Sequence, residues 1–301
     1  MSTRLANTRL AKDKIIKGVF LTLTILSLCV VVLIVVGLYY KSAPILEKNS
    51  LWSLLSSDVW RPFKGKFGFL PFITGTLYVT LVAILIALPL SLFTSIYLSE
   101  YAHKRVRQIL NPLVDLLSGI PPVVYGVWGV LVVVPFIQDK LAPHFVDYSS
   151  GYSTLAGGII LAIMIFPLII NILGEVFSTV PQGLREASLS IGATKWQTVK
   201  FVVLKKAKPG IVAAVVLAIS RAFGETIAVL MVCGNIPQTP HSLFDGAYPL
   251  PALIANNYGE MLSIPMYDSA LMLAALILFV IIFLFNAISR YILMRLERRL
   301  N

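Results

Sequence analysis

The chain has 301 residues, of which 57% are hydrophobic and only 13% are charged, and its mean hydropathy is +0.85. Soluble domains carry about 25% charged residues, so this composition excludes a soluble globular protein and indicates one that is embedded in a membrane. A net charge of +11 is often a sign of a nucleic-acid partner, but the distribution of the cations argues against nucleic acid here.

Six long segments contain few or no charged residues, and each has the ~20 residues that a helix needs to cross a bilayer. They lie at about 18–40, 69–99, 113–138, 154–178, 209–235 and 268–291. The sequence therefore predicts an all-α polytopic membrane protein with six transmembrane helices.

The first segment follows a cluster of five cations, an arrangement that also begins a signal peptide. The uncharged stretch 19–40 is longer than the apolar region of a signal peptide, and no small-residue cleavage site follows it. We therefore interpret this segment as a retained first span.

The segments divide the 25 Lys and Arg residues unevenly, with Arg221 lying inside one of them. Positive charge resists translocation, so the side of the membrane that holds more cations is the cytoplasmic side. Eighteen cations lie at 1–17, 100–112, 179–208 and from 290 onward, against six at 41–68, 139–153 and 236–267. This asymmetry predicts that both termini are cytoplasmic, an N-in/C-in topology.

The first outer loop, 41–68, includes the aromatic residues Trp52, Trp60 and Phe63 and, close to the last two, the cations Arg61, Lys64 and Lys66. The aromatic residues predict a helix that lies at the membrane interface. Two interpretations of the cations stay open. They either anchor the loop at the membrane interface, or they attract an anion or an acidic partner protein.

Gly119, Pro121 and Pro122 interrupt the third segment near its predicted cytoplasmic end. Two consecutive prolines remove two helical donors, and a bilayer tolerates this only where the backbone is buried in protein or lines a cavity. The interruption indicates either a translocation path or a kink that improves packing.

The polar stretch 179–208 connects the fourth and fifth segments and carries six cations. Within it, Glu186-Ala187-Ser188 is followed by Gly192 and then by Val202 and Leu204. This spacing is similar to that of the loop by which permeases of ATP-driven importers bind their ATPase, with Ser188 in place of an alanine. Small residues allow the close approach of a partner, Glu186 can pair with a cation, and Gly192 permits a turn. The alternative is an ordinary basic loop.

Two charged residues lie inside the fifth segment, where a charge is costly and is by default a functional candidate. Arg221 and Glu225 are four residues apart, so on one continuous helix they would share a face and could pair. They are either a structural ion pair or the part of a substrate path that attracts an anion.

Several motifs together resemble the permeases of high-affinity phosphate ABC importers, and within them the PstC-type subunit. They are LPFITGTLYVTLVAILIALPL, YLSEYA, LLSGIPPVVYGVWG, the 186–192 motif, RAFGETIAVLMVCGN and SLFD. The resemblance implies a five-helix permease core of the type I (MetI-like) importers at 69–301, with residues 1–68 added outside it. It also implies a sister permease, a cytoplasmic ATPase dimer, an extracytoplasmic phosphate-binding protein and phosphate as substrate.

No G-x-x-x-x-G-K-[ST] stretch is present, so ATP hydrolysis is expected from another chain. The three histidines fall in different loops, and no nucleophile or metal-ligand motif occurs, so no catalytic, cofactor or metal site is expected. The alternatives to a phosphate permease are the PstA-type sister subunit, a permease for another oxyanion, and, remotely, a membrane enzyme or sensor.

Overall fold

The long apolar segments form helices in the computed structural model, which describes residues 2–260 and 264–297. Between the first two long helices, β1 (Trp60–Arg61) and β2 (Lys66–Phe67) form a small antiparallel hairpin. The helices of the described residues are α1 Ser2–Lys48, α2 Leu51–Ser56, α3 Leu70–Tyr101, α4 Lys104–Gly119, α5 Pro122–His144, α6 Thr154–Ser178, α7 Gln182–Ser190, α8 Lys195–Thr198, α9 Leu204–Phe223, α10 Ile227–Val232, α11 Leu250–Asn257 and α12 Tyr267–Glu297.

Helix α6 lies at the centre of the bundle and packs most extensively against α3. Its fully buried side chains recur every fourth residue, at Leu161, Ile165, Ile169, Leu173 and Phe177, so they form one continuous stripe along the helix. The hydroxyls of Ser91 and Ser95 donate to α6 carbonyls, and such interhelical hydrogen bonds help to hold membrane helices together.

Five of the predicted spans are helices that are long and apolar enough to cross a membrane: 14–48, 70–101, 122–144, 154–178 and 267–295. The remaining predicted span, 209–235, which is the fifth in chain order, is not one helix, because α9 ends at Phe223 and α10 begins at Ile227. A Cβ added at Gly210 would meet Val176, whereas one added at Gly157 would meet Cys233. The broken segment therefore follows α6 from residue 176 to residue 157, which is about 28 Å at 1.5 Å per residue.

The third predicted span begins at residue 122 rather than at 113. The chain does break where Gly119, Pro121 and Pro122 interrupt it, and α4 ends at Gly119. The Tyr125 hydroxyl donates to the Leu117 carbonyl across the break, at 2.8 Å. The prolines therefore separate the charged, mostly exposed α4 from the membrane helix α5.

In α5, Gly126 and Gly129 face α10 and α6 closely, since an added Cβ would lie within 3.0 Å of Met231, Val232 or Ile160. These glycines let the helices approach one another, which is how small residues commonly act in membrane proteins.

The predicted interfacial helix in the first outer loop is only α2, which carries the exposed Trp52. The remainder forms the β1–β2 hairpin, with Phe63 exposed near its tip. Trp60 was expected at the interface but packs inward, because its ring lies 4.8 to 6.1 Å from four aromatic rings: Phe67, Phe69, Phe72 and Tyr267.

The apolar part of α1 is exposed along its length, so lipid is its natural surrounding. Only its last turns join the bundle, where Ile45 is fully buried and Lys41 lies 3.9 Å from Asp268. The side chains of Arg4, Arg9 and Lys12, and residues 298 and 299, count toward the predicted cytoplasmic cations but lie outside the described residues.

The N-in/C-in topology stays a prediction that cysteine labelling can check. With Cys29 and Cys233 replaced by alanine, we expect a cysteine at exposed position 238 to react with an impermeant maleimide in intact spheroplasts. A cysteine at exposed position 190 should react only after permeabilisation, because the cation asymmetry places it inside. Labelling of position 190 in intact spheroplasts would contradict the topology.

Candidate functional site

The candidate coupling loop, 179–208, begins with helix α7, and Gly192 ends that helix. Gly192 has φ +88°, a left-handed conformation that glycine adopts without steric cost. Its N–H donates to the Leu189 carbonyl, and the next N–H, of Ala193, donates to the Ser188 carbonyl. This pair of bonds is a Schellman motif, and it accounts for a glycine at this position.

The chain turns at once into α8, whose start is fixed by a capping box. The Thr194 hydroxyl accepts from the Gln197 N–H, and the Gln197 side chain accepts from the Thr194 N–H. The hydroxyls of Ser188 and Thr198 lie 2.9 Å apart and join α7 to α8. The loop is therefore an ordered helix–turn–helix unit.

Two of the small residues predicted to contact a partner have different surroundings. Ala187 is exposed, as is the neighbouring Glu186, whereas Ser188 is half-buried and its hydroxyl contacts Thr198 of the same chain. The serine at this position is therefore explained by a bond within the loop. Glu186 and Ala187 are the two of these residues that are accessible to a partner surface.

Large apolar side chains are exposed around the two short helices. Leu184 is 42% exposed, Trp196 is 50% exposed, and Ile191 is 85% exposed. An apolar surface rimmed by polar groups is typical of a protein-binding site. Leu184 lies in α7, Trp196 lies in α8, and Ile191 lies just beyond the last residue of α7.

Sequence reasoning missed a half-buried ion pair between this loop and the end of α3. The Arg185 Nη2 lies 2.7 Å from a Glu100 carboxylate oxygen, and the two side chains are only 14% and 9% exposed. The residues are 85 positions apart, and no local pattern connects them. The only available signals were a glutamate at the end of an apolar segment and an arginine just beyond another.

The break between α9 and α10 separates the two charged residues of the fifth segment. Arg221 lies in the last turn of α9, whereas Glu225 lies in the connection beyond the Gly224 cap. They do not share a helix face, and among the described residues no carboxylate lies within 4.0 Å of the Arg221 nitrogens. Of the two alternatives for these residues, the structural ion pair is therefore not formed among the described residues, because the helix ends between its members.

The two residues also have different surroundings. Ala214, Ala218 and Ala222 of α9 are buried against the bundle, whereas Leu217 and Arg221 are exposed on its outer face. Glu225 is half-buried and points into the bundle, where it lines a small cavity with Thr76, Thr80, Leu161 and neighbouring residues. Arg221 is thus accessible to a partner or ligand outside this chain, whereas Glu225 is only partly accessible.

A family model described as "Binding-protein-dependent transport system inner membrane component" matches residues 87–300. These residues include the coupling loop, both charged residues of the fifth segment and most of the long helices. The chain is a permease subunit of an ABC importer, in the inner membrane. It belongs to the binding-protein-dependent transport system inner membrane component family, whose members work with an ATPase and a periplasmic binding protein.

Curated relatives narrow the resemblance. The phosphate transport system permease protein PstC of Mesorhizobium japonicum is 38% identical, with 82% of this chain and 80% of that protein covered. The probable phosphate transport system permease protein PstC of Methanocaldococcus jannaschii is 35% identical, with 87% of each chain covered. The predicted PstC-type resemblance is confirmed.

A solved structure supports the predicted MetI-like fold. An inward facing structure of the MetNI methionine ABC transporter has a TM-score of 0.55 and 20% identity, with 82% of this chain and 97% of that chain covered. At this identity the likeness concerns the fold alone.

The left-handed turn at Gly192 can be tested by substitution with valine. A β-branched residue at φ +88° is strained, so we expect Gly192→Val to displace α8 relative to α7 and to lower co-purification of the ATPase subunit. Gly259→Val is a matched control, since Gly259 has φ +87° and, like Gly192, open space around its Cβ position. Equal ATPase recovery in the two variants would contradict a coupling role for this turn.

Proposed function

We propose that this chain is a transmembrane permease subunit of an ATP-driven inorganic phosphate importer. It forms the translocation path with a sister permease and binds a separate cytoplasmic ATPase dimer through the loop 179–208. An extracytoplasmic phosphate-binding protein delivers the substrate. The names of the relatives support phosphate over another oxyanion and the PstC-type over the PstA-type subunit.

The observation that carries the proposal is the position of Arg221. A guanidinium is always charged at physiological pH, and a charge inside a membrane faces the bundle interior, a water-filled cavity or a partner. Arg221 is exposed on its own subunit, with Leu217 one turn before it. Lipid cannot solvate the charge, so this face of α9 meets the sister permease and the substrate path between the two subunits.

Phosphate suits this cation chemically. Arginine presents several N–H donors in a fixed fork, which matches the oxygens of phosphate and allows bidentate hydrogen bonds. A transport site must also release its anion. Glu225 follows Arg221 beyond the helix break, and its negative charge limits how tightly phosphate is held.

Coupling to ATP follows from the loop. The exposed apolar surface of Leu184, Ile191 and Trp196 docks on the ATPase, and Glu186 and Ala187 meet the same partner. ATP binding closes the ATPase dimer and turns the cavity outward to accept phosphate, and hydrolysis resets it to the inward-facing state. The energy comes from the ATPase chains, and this chain converts their movement into opening of the cavity to one side of the membrane or the other.

The role of Arg221 can be tested by uptake of labelled phosphate. Arg221→Ala removes the cation from the path, so we expect uptake to fall by at least about tenfold, which corresponds to ~1.4 kcal/mol of lost anion stabilisation. Arg221→Lys should retain part of the activity, since the charge remains and the fork is lost. Glu225→Gln should slow the release of phosphate.

Arg290→Ala is the control, because Arg290 is an exposed arginine near the end of another membrane helix. ATPase co-purification should be equal in all of these variants, since Arg221 has no ion-pair partner among the described residues of this chain. Normal phosphate uptake by a fully assembled Arg221→Ala importer would show that the residue has no part in the path.

A further inference from the structure

We propose that the half-buried Arg185–Glu100 pair positions the coupling helix α7 on the ends of α3 and α6, so that movement of the ATPase reaches these two helices directly. The inference rests on the proposed coupling role of the loop. It adds a route of force transmission through α3 to the covalent routes, in which the loop moves the membrane helices through α6, joined to α7 by residues 179–181, and through α9.

The guanidinium of Arg185 bonds with all three of its nitrogens. Nε lies 3.3 and 3.2 Å from the two oxygens of Glu100, and Nη2 lies 2.7 Å from one of them. Nη2 also donates to the Phe177 carbonyl at 2.9 Å, and Nη1 donates to the Val180 carbonyl. Carbonyls at the end of a helix lack partners within the helix, so Arg185 also caps the end of α6.

Glu100 lies in a π-helical turn, 97–101, that ends α3. One side chain of α7 therefore contacts the last turn of α3 and the last residues of α6 at the same time. These are the two helices that pack most extensively against each other in the bundle.

A second contact fastens the other half of the loop to the same turn. Lys195, the first residue of α8, places its ammonium 4.8 Å from the centre of the Tyr101 ring, within the range of a cation–π interaction. Since Ser188 and Thr198 join α7 to α8, the loop contacts the end of α3 through both of its helices.

Burial distinguishes this pair from the other charges of the loop. Glu186, Lys195, Lys200 and Lys205 are exposed, as suits groups that meet water or a partner. The other ion pair of the described residues, Lys41–Asp268, is 65% and 40% exposed, and pairs of that kind contribute little. A pair that is largely shielded from water and has additional hydrogen bonds resists separation, because each ion would be left poorly solvated without its partner.

The test measures position and coupling separately in the assembled importer. Spin labels at exposed residues 93 of α3 and 190 of α7 report the distance between the two helices by double electron–electron resonance. We expect a narrow distance distribution in the otherwise unchanged protein and a broad one in Glu100→Gln and Arg185→Met. Glu175→Gln, which removes an exposed carboxylate near the same end of α6, should leave it narrow.

The coupling readout is the number of phosphate ions taken up per ATP hydrolysed. Coupling between sites is typically a factor of 5–150, so we expect the ratio to fall at least about fivefold in Glu100→Gln and Arg185→Met, with the ATPase still bound. Arg185→Lys should be intermediate, since one ammonium cannot reach both the carboxylate and the two carbonyls. The exchanged variant, Glu100→Arg with Arg185→Glu, should recover part of the ratio.

An unchanged distance distribution, or an unchanged phosphate-to-ATP ratio, in the substituted importers would overturn the proposal. If Arg185→Met does not insert into the membrane, Arg185→Lys decides in its place by the same two measurements. Failure of the proposed coupling role is recognised differently: Gly192→Val would then keep normal uptake and ATPase binding, whatever the distances in the Glu100 and Arg185 variants.

Discussion

Hydrocarbon offers no hydrogen-bonding partner to a peptide group, so a helix that stops inside the membrane needs partners from the protein or from a water-filled cavity. Side chains and neighbouring backbone groups can also satisfy a helix end beside the membrane. Three such places organise this chain. The break before α5 is bridged by the Tyr125 hydroxyl. The end of α6 is capped by Arg185. The break after α9 is closed by the Gly224 and Glu225 N–H groups, which donate to carbonyls of its last turn.

The residues to which we assign function lie next to these helix ends. Arg221 lies in the last turn before one break, and Arg185 in the first helix after the end of α6. Residues 195–223 run between them as α8, a π-helical turn and α9 without interruption, a helical stretch of about 40 Å. The coupling loop and the proposed path residue are therefore the two ends of one nearly continuous helical segment.

Features with a local cause were predictable from the sequence. Spans such as 154–178 follow from composition, and the turn at Gly192 follows from a glycine after a short amphipathic helix. The end of α4 follows from the proline pair. The predicted third span nevertheless begins at residue 113, before the prolines, whereas the membrane helix begins at residue 122. In each case neighbouring residues contain the physical reason.

Features that depend on distant contacts were not predictable in this way. Gly224 in RAFGET looks like many glycines that membrane helices tolerate, and nothing nearby shows that the helix stops there. The shared helix face expected for Arg221 and Glu225 is absent for that reason, since the rule for residues four apart requires a continuous helix. The residue type of Trp60 predicted a position at the interface, but its ring packs against Phe72 of α3 and Tyr267 of α12.

The end of α9 bears on how the proposed path releases its anion. The last carbonyls of a helix carry partial negative charge, and Arg221 lies among them. That charge favours the cation but opposes an anion that approaches it, and Glu225 adds a full negative charge beyond the break. An arginine in the middle of a helix, with no such neighbours, would hold phosphate more tightly and release it more slowly. The break therefore lets an always-charged residue serve as a transient contact, which is what transport requires of it.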